Sequence, residues 1–240
     1  MSFDLPQNVV LPVDEIDVRL DPAPHPFERD NLPAIDKNWL HETAINPHIF
    51  DGAVALLSEL SYRDRRLTGR CHIVRYATFM YWRRNRLTPN AGHAFAHAML
   101  VAGDGALVAI RMGPKTVNAG RVYFAAGSFE LEDFRDGQVD VAYNMRREVM
   151  EEIGVDLAEA DSQPGQRHYL LATGSGTVIF RRYRMQANAN QIINRINAFV
   201  ATQEEPEIAG PVIIHSVNDL PDDIAPYMKP LVEWHFSNPA

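Results

Sequence analysis

Cysteine is almost absent from this 240-residue chain, basic residues are outnumbered by acidic ones, and no apolar run approaches the length of a membrane span. The lone Cys71 excludes an intrachain disulfide framework and makes a reducing, cytoplasmic setting the default expectation. A net charge of −8 argues against a general nucleic-acid binder, which carries a basic patch to neutralise phosphates. A small phosphorylated ligand stays compatible, because a bound cation inverts the local sign of an acidic site. A transmembrane helix needs about 20 consecutive apolar residues, so no membrane span is expected. The N-terminal residues also lack the basic start and apolar run of a secretory signal. Internal repeats and low-complexity tracts are missing too. The apolar fraction of 46% suffices for one good core plus an extension.

Residues 1–36 hold many prolines and little periodicity, which predicts an extended arm on the surface of this protein or a partner, with disorder as the plainer alternative. Asp51-Gly52 introduces an apolar stretch at 53–57, and 71–76 follows the polar run 63–66. The pair predicts a hairpin-like unit. Residues 78–86, with Tyr81, Trp82 and three arginines, read as a short helix before the Thr88-Pro89-Asn90 break. The composition change there sets an expected boundary between an N-terminal β-rich extension, 1–88, and a larger domain, 89–240.

Within the larger domain, 94–102 and 106–112 predict strands around Gly103-Asp104-Gly105, and 121–124 leads toward Gly127. Residues 169–173 and 177–185 predict another pair around Gly174-Ser175-Gly176. That glycine pair lacks the third glycine of a dinucleotide loop and reads as a hairpin turn. Asn190 is placed to cap a helix carrying Ile192, Ile193, Ile196, Phe199 and Val200 on one face. Residues 212–215 read as a short strand, and 222–234 as a closing helix interrupted near Pro226 and Pro230. Strands alternating with helices predict an α/β fold.

The densest chemical signal is the run Arg147-Glu148-Val149-Met150-Glu151-Glu152-Ile153-Gly154-Val155. At about 100° per residue, Glu148, Glu151 and Glu152 share one helix edge, Arg147 stands i,i+4 from Glu151, and Ala142, Met145, Val149 and Ile153 fill the adjoining apolar arc. Like charges at these spacings each cost a few tenths of a kcal/mol. A hard divalent cation offsets that repulsion, and Mg²⁺ binds through carboxylates together with substrate phosphates. An ordinary solvated acidic face is the alternative for any Glu-Glu pair. Upstream, Asp140 is placed to cap the helix, and Gly154 to end it in a left-handed conformation.

Those nine residues match every specified position in the second half of the Nudix box, so the chain resembles the Nudix hydrolases. The first half departs from the family. Gly127, in Ala125-Ala126-Gly127, takes the place of the box glycine where Pro-Gly-Gly is common. Twenty positions separate it from Arg147, against fourteen in the family pattern. Counting forward from Gly127 puts Asp133 at the family's loop glutamate; counting back from Arg147 puts Val139 there, beside Asp140. The resemblance implies an α/β/α sandwich with a mixed sheet. It also implies Mg²⁺, with Mn²⁺ as substitute, held by Glu148, Glu151, Glu152 and the Gly127 carbonyl, and cleavage of a nucleoside diphosphate linked to another moiety. Arg147 would pair with the box carboxylates and fix their rotamers.

A further carboxylate from a loop outside the box is common in the family as metal ligand or general base. Glu204, Glu205 and Glu207 are candidates here, with Glu207 preferred because it adjoins a strand; a solvated acidic loop is the competing reading. Arg111 and Lys115 are candidate phosphate contacts, weighed against solvated loop cations. His93, His97, His168 and His215 lack the short paired spacings of a zinc site. Residues 50–84 resemble, loosely, the β portion preceding the domain in UDP-sugar hydrolysing members, which favours a nucleotide sugar. Gly120-x-x-x-Phe124 resembles coenzyme A diphosphatases, but Thr116 stands where those carry arginine; a dinucleotide substrate is a further alternative. A nucleotide-sensing module that does not cleave is a reading of another class, disfavoured by the intact carboxylates. The expected partner is a small nucleotide, neither nucleic acid nor membrane, and residues 37–90 are long enough to wall the cleft or to build a homodimer that does.

Overall fold

A computed structural model of the chain describes residues 3–86, 88–160 and 167–239. The chain runs β1 (Phe3–Asp4), β2 (Val10–Val13), β3 (Glu15–Leu20), α1 (Pro26–Ile45), β4 (Ala53–Arg63), β5 (Arg66–Arg75), α2 (Tyr76–Arg84), β6 (Ala94–Val101), β7 (Leu107–Met112), β8 (Val122–Tyr123) and β9 (Ala126–Ser128). It continues through β10 (Phe134–Arg135), β11 (Gln138–Val139), α3 (Val141–Ile153), β12 (His168–Thr173), β13 (Gly176–Arg184), α4 (Ala189–Val200), β14 (Ile208–Ile214) and α5 (Met228–Ser237). Two sheets result, with strand orders β1-β4-β5-β3-β11-β10 and β14-β7-β6-β13-β12-β2, while β8 and β9 attach to β7 and β6.

The mixed α/β class expected from the alternation is what forms. In the larger sheet β6 runs parallel to β13 and antiparallel to β7. Along β13, Phe180 packs on Trp234 of α5, whereas the Tyr183 hydroxyl reaches the Met145 sulfur of α3. Residues three apart on a strand point to opposite sides, so α3 and α5 cover opposite faces. The Ile192 and Ile196 face of α4 packs against β7 and β14 beside α3.

The 53–57 run is continuously apolar because β4 is buried on both faces. Val54 and Leu56 pack with Phe27, Val74, Phe79 and Trp82, while Ala55 and Leu57 join the main core. A strand covered on both sides loses the alternation that marks a half-exposed one. The β4–β5 hairpin turns through Asp64 and Arg65, both at positive φ, a two-residue geometry whose twist suits paired strands.

Four expectations need correction. Two short segments behave as arms along sheet edges, β1 beside β4 and β2 beside β12; all of 26–36 is helical. Pro26 occupies the first turn of α1, where its missing N–H has no partner to lose. His25 Nδ1 accepts from the Phe27 N–H, and Phe27 and Ile35 are buried. Pro33 interrupts the backbone bonding inside the helix, and packing on α2 maintains it. Asn188, in a capping box with Gln191, caps α4 in place of Asn190. The strand expected at 212–215 starts earlier, at Ile208, and tolerates Pro211 because β14 is an edge strand. Lastly, α5 begins beyond Pro226, at Met228.

Residue 88 does not separate the strands. β2 lies in the larger sheet, β10 and β11 lie in the smaller one, and one hydrophobic cluster runs from Val13 to Val232. Among the described residues no helix is long and apolar enough to cross a membrane. Phe180 is fully buried and stacks on Tyr169, so Phe180→Ala should cost about 3–5 kcal/mol. Leu40 is 72% exposed, and Leu40→Ala should change stability by less than about 0.5 kcal/mol. Urea unfolding of the two variants measures the contrast.

Candidate functional site

Asp140 and Gly154 set the length of α3 as expected. The Asp140 carboxylate accepts from the Tyr143 N–H at 2.8 Å, and Gly154 closes the helix in the left-handed region. Between them the Arg147 side chain, only 9% exposed, meets Asp133, Glu148 and Glu151 at 3.0, 2.8 and 3.0 Å. Burial opposes its charge. The Asp133 hydrogen bonds and the Glu148, Asp133 and Glu151 charges more than offset that, leaving the guanidinium above its ordinary pKa. Asp133 is wholly buried and also accepts from Asn144 Nδ2 at 2.9 Å and from the Glu130 N–H at 2.8 Å. The loop carboxylate that the sequence left ambiguous is therefore an anchor for Arg147.

Gly127 lies in β9 opposite Ala96 of β6. A Cβ at this position would overlap the Glu148 carboxylate, so a larger residue here would displace that carboxylate from its place against the strand. Next door the Ala126 N–H donates to Glu152 Oε2 at 2.9 Å. Glu148 and Glu152 are thus drawn together against one strand. Desolvation, with the neighbouring charges of Glu151, Asp133 and Glu130, pushes Glu148 up to about 8 despite Arg147. Desolvation and then Glu148 raise Glu152 well above the usual carboxylate range, and the charges of Glu207 and Glu151 add to this. Glu151 stands apart at the rim, 58% exposed, with Arg147 as its partner.

Among the described residues no three His, Cys, Asp or Glu groups gather closely enough to hold a metal ion unaided. Two crowded, desolvated carboxylates still suit a hard cation that completes its shell with water and substrate oxygens, the usual habit of Mg²⁺. Glu148 and Glu152 fit that role, with Gly127 leaving the space.

On the other side of Gly127 is a cavity of about 360 Å³, walled by Tyr76, Trp82, Arg83, Arg86, Arg121 and Tyr227 among others. Arg83 donates to the Asn118 side-chain carbonyl at 3.1 Å, and Arg86 to the Gly174 carbonyl at 3.4 Å. No carboxylate pairs with Arg83, Arg86 or Arg121 among the described residues. His97, also in this wall, is fully buried; its Nδ1 faces the Phe124 carbonyl at 2.9 Å and its Nε2 has no partner among the described residues. A carbonyl only accepts, so Nδ1 carries the proton, and burial lowers the ring to about 3. Nε2 is therefore a lone-pair acceptor.

Of the other expected residues, Glu207 precedes β14 and lies near enough for its charge to act on Glu152, Tyr123 and Tyr76. Glu205 instead holds Lys115 at 2.7 Å, and Arg111 is engaged by Asp223 and the Gly120 carbonyl. His93 meets the Ser128 hydroxyl at 3.0 Å and is pushed down to about 3 by burial. Sequence reasoning missed Arg83, Arg86, Arg121, His97 and Tyr227 as site residues. One signal was there: Tyr76, Phe79 and Arg83 recur at helical spacing, so that aromatics and a cation share one face of α2.

No family model matches this chain, and no curated protein does. Solved structures do. The MutT protein from Methanosarcina mazei Go1 aligns over 59% of this chain and 91% of its own, at 16% identity and a TM-score of 0.38. A Nudix hydrolase from Nitrosomonas europaea aligns over 61% and 90%, at 14% identity and a TM-score of 0.34.

A pH dependence follows for the metal-free protein. Glu148 titrates near 8 when folded, against an ordinary 4.5, so between those values the folded chain holds a proton that the unfolded chain has released. The associated stability is full below about 4.5 and is lost as pH rises to about 8. The Tm should decline across this window in EDTA, and Glu148→Gln should flatten the decline. Scanning calorimetry from pH 5 to 9 checks it; identical slopes would refute it.

Proposed function

We propose that the chain is a Nudix-type hydrolase that cleaves the pyrophosphate of a nucleoside diphosphate derivative, with a nucleotide sugar as the favoured substrate, in a cytoplasmic setting. One observation carries the reading. Two crowded carboxylates, Glu148 and Glu152, lie on one side of Gly127, and three guanidiniums without carboxylate partners lie on the other among the described residues. The first group suits a divalent cation, and the second suits phosphate.

Mg²⁺ or Mn²⁺, when bound, supplies charge neutralisation on the pyrophosphate and acidifies water. The chain's own residues do the rest. Glu148 and Glu152 hold the cation, with Glu151 and the Gly127 carbonyl as further candidate ligands. Arg147 keeps Glu148 and Glu151 in their rotamers, as outer partners of metal ligands do. Glu207 is the candidate to accept a proton from the attacking water, a reading supported by its charge acting on Glu152.

Arg83, Arg86 and Arg121 bind phosphate oxygens and offset developing charge. Tyr76, partly exposed in the cavity wall, offers a ring face to a base, and His97 Nε2 accepts only from an N–H or O–H, which a base or sugar has and a fully ionised phosphate lacks. The carboxylate crowding weighs against a sensor that does not cleave, since binding alone needs no such cluster.

Formation of the two phosphomonoester products should be followed by chromatography across UDP-glucose, ADP-ribose, NADH, dinucleoside polyphosphates and coenzyme A. Hydrolysis should require Mg²⁺ or Mn²⁺. Glu152→Gln should lower kcat by at least about a hundredfold with Tm preserved, and Arg83→Ala should raise KM about tenfold through loss of a charge-assisted contact. Full activity of Glu152→Gln, or turnover in EDTA, would sink the assignment; cleavage of coenzyme A alone would remove the nucleotide sugar.

A further inference from the structure

The extra residues in the box take no part in the chemistry above. Removing 134–139 from the twenty positions between Gly127 and Arg147 would leave the family's fourteen. Those six residues are β10 and β11, joined through Asp136 and Gly137, both at positive φ. The hairpin closes at its base, where the Asp140 N–H donates to the Asp133 carbonyl at 2.7 Å. Both base residues then send their side chains to α3, Asp133 to Asn144 and Arg147 and Asp140 to the Tyr143 N–H. The far end is held by the smaller sheet. Gln138 pairs with Arg19 of β3, the Leu20 N–H donates to the Gly137 carbonyl at 2.8 Å, and Gln138 Nε2 donates to the Ile16 carbonyl at 2.6 Å.

We propose that this inserted hairpin is a brace that passes the rigidity of the smaller sheet into the metal site, with Gln138 and Asp133 as positioning residues. The inference rests on the reading of Glu148 as a metal ligand. The path is continuous: β3 holds β11, the hairpin base holds Asp133, Asp133 holds Arg147, and Arg147 holds Glu148. A surface loop without such pairing explores many backbone conformations, and each residue fixed removes conformational entropy. Pairing with β3 removes that freedom before a cation arrives. The N-terminal strands, which do not line the cavity, therefore act on the site through this hairpin.

Two full-length variants test the brace, Gln138→Ala and deletion of 134–139, whose flanking residues are already hydrogen-bonded to each other. Mn²⁺ alone is titrated by calorimetry, and amide exchange is followed in the metal-free chain. In Gln138→Ala, exchange at 144–147 should rise severalfold and Mn²⁺ should bind about threefold to tenfold more weakly, at a Tm close to wild type. The deletion should weaken Mn²⁺ by roughly 10–100-fold, the range for losing an outer partner of a ligand. Asp133→Glu should retain more affinity than Asp133→Asn. Exchange changes confined to 134–139 with wild-type Mn²⁺ affinity would overturn the brace. A wild-type chain that binds no Mn²⁺ would instead contradict the metal-site reading, and exchange at 144–147 would still decide the brace.

Discussion

A buried guanidinium shared among carboxylates is the interaction on which the rest of this site depends. Arg147 is 9% exposed and reaches Asp133, Glu148 and Glu151. Burying any one of these charges without a partner would be costly, and breaking a buried pair costs roughly 3–5 kcal/mol. Together they tie three elements: the loop before β10, the body of α3, and its solvent edge. Because Arg147 is tied to Asp133 outside the helix and Glu148 rests on Gly127, α3 cannot slide relative to β9 and the loop before β10 without losing both contacts. The carboxylates are therefore placed before any ligand arrives, which is how preorganisation lowers the cost of binding.

Charge segregation across Gly127 is the second constraint. Burial, and then mutual crowding, pushes Glu148 and Glu152 toward protonation, which is an unfavourable state for a ligand but a receptive one for a divalent cation that displaces the protons. Across the strand, Arg83 and Arg86 repel one another and are stabilised by neutral partners only. A metal-bound pyrophosphate derivative would relieve both strains at once, placing negative charge between the guanidiniums and positive charge between the carboxylates. The net charge of −8 is thus compatible with an anionic substrate.

Much of this was legible in the sequence where local rules govern. The Asp140 cap, the Gly154 stop, the apolar arc of α3 and the central strands all follow from periodicity and capping. The order in which segments meet was not legible. Residues 76–86, 118–127 and 225–227 converge on one cavity from distant parts of the chain, and no local pattern encodes that. The proline-bearing α1 hides behind weak periodicity because packing on α2, not propensity, stabilises it. Asp133 and Asp140 looked like rivals for one position because the six residues between them leave the box as a hairpin, and only pairing with β3 exposes that. The Nudix resemblance supplied the ligand set, whereas Arg83, Arg86 and Arg121 entered through tertiary structure alone.

The most direct test of this account is the location of a bound cation. In a crystal of the full chain grown with Mn²⁺ and a non-hydrolysable nucleoside diphosphate sugar, anomalous scattering should place an ion against Glu148 and Glu152 beside Gly127, with the phosphates between it and Arg83. An anomalous peak elsewhere, or an ordered ligand lying away from α2 with no ion at Glu148 and Glu152, would contradict it.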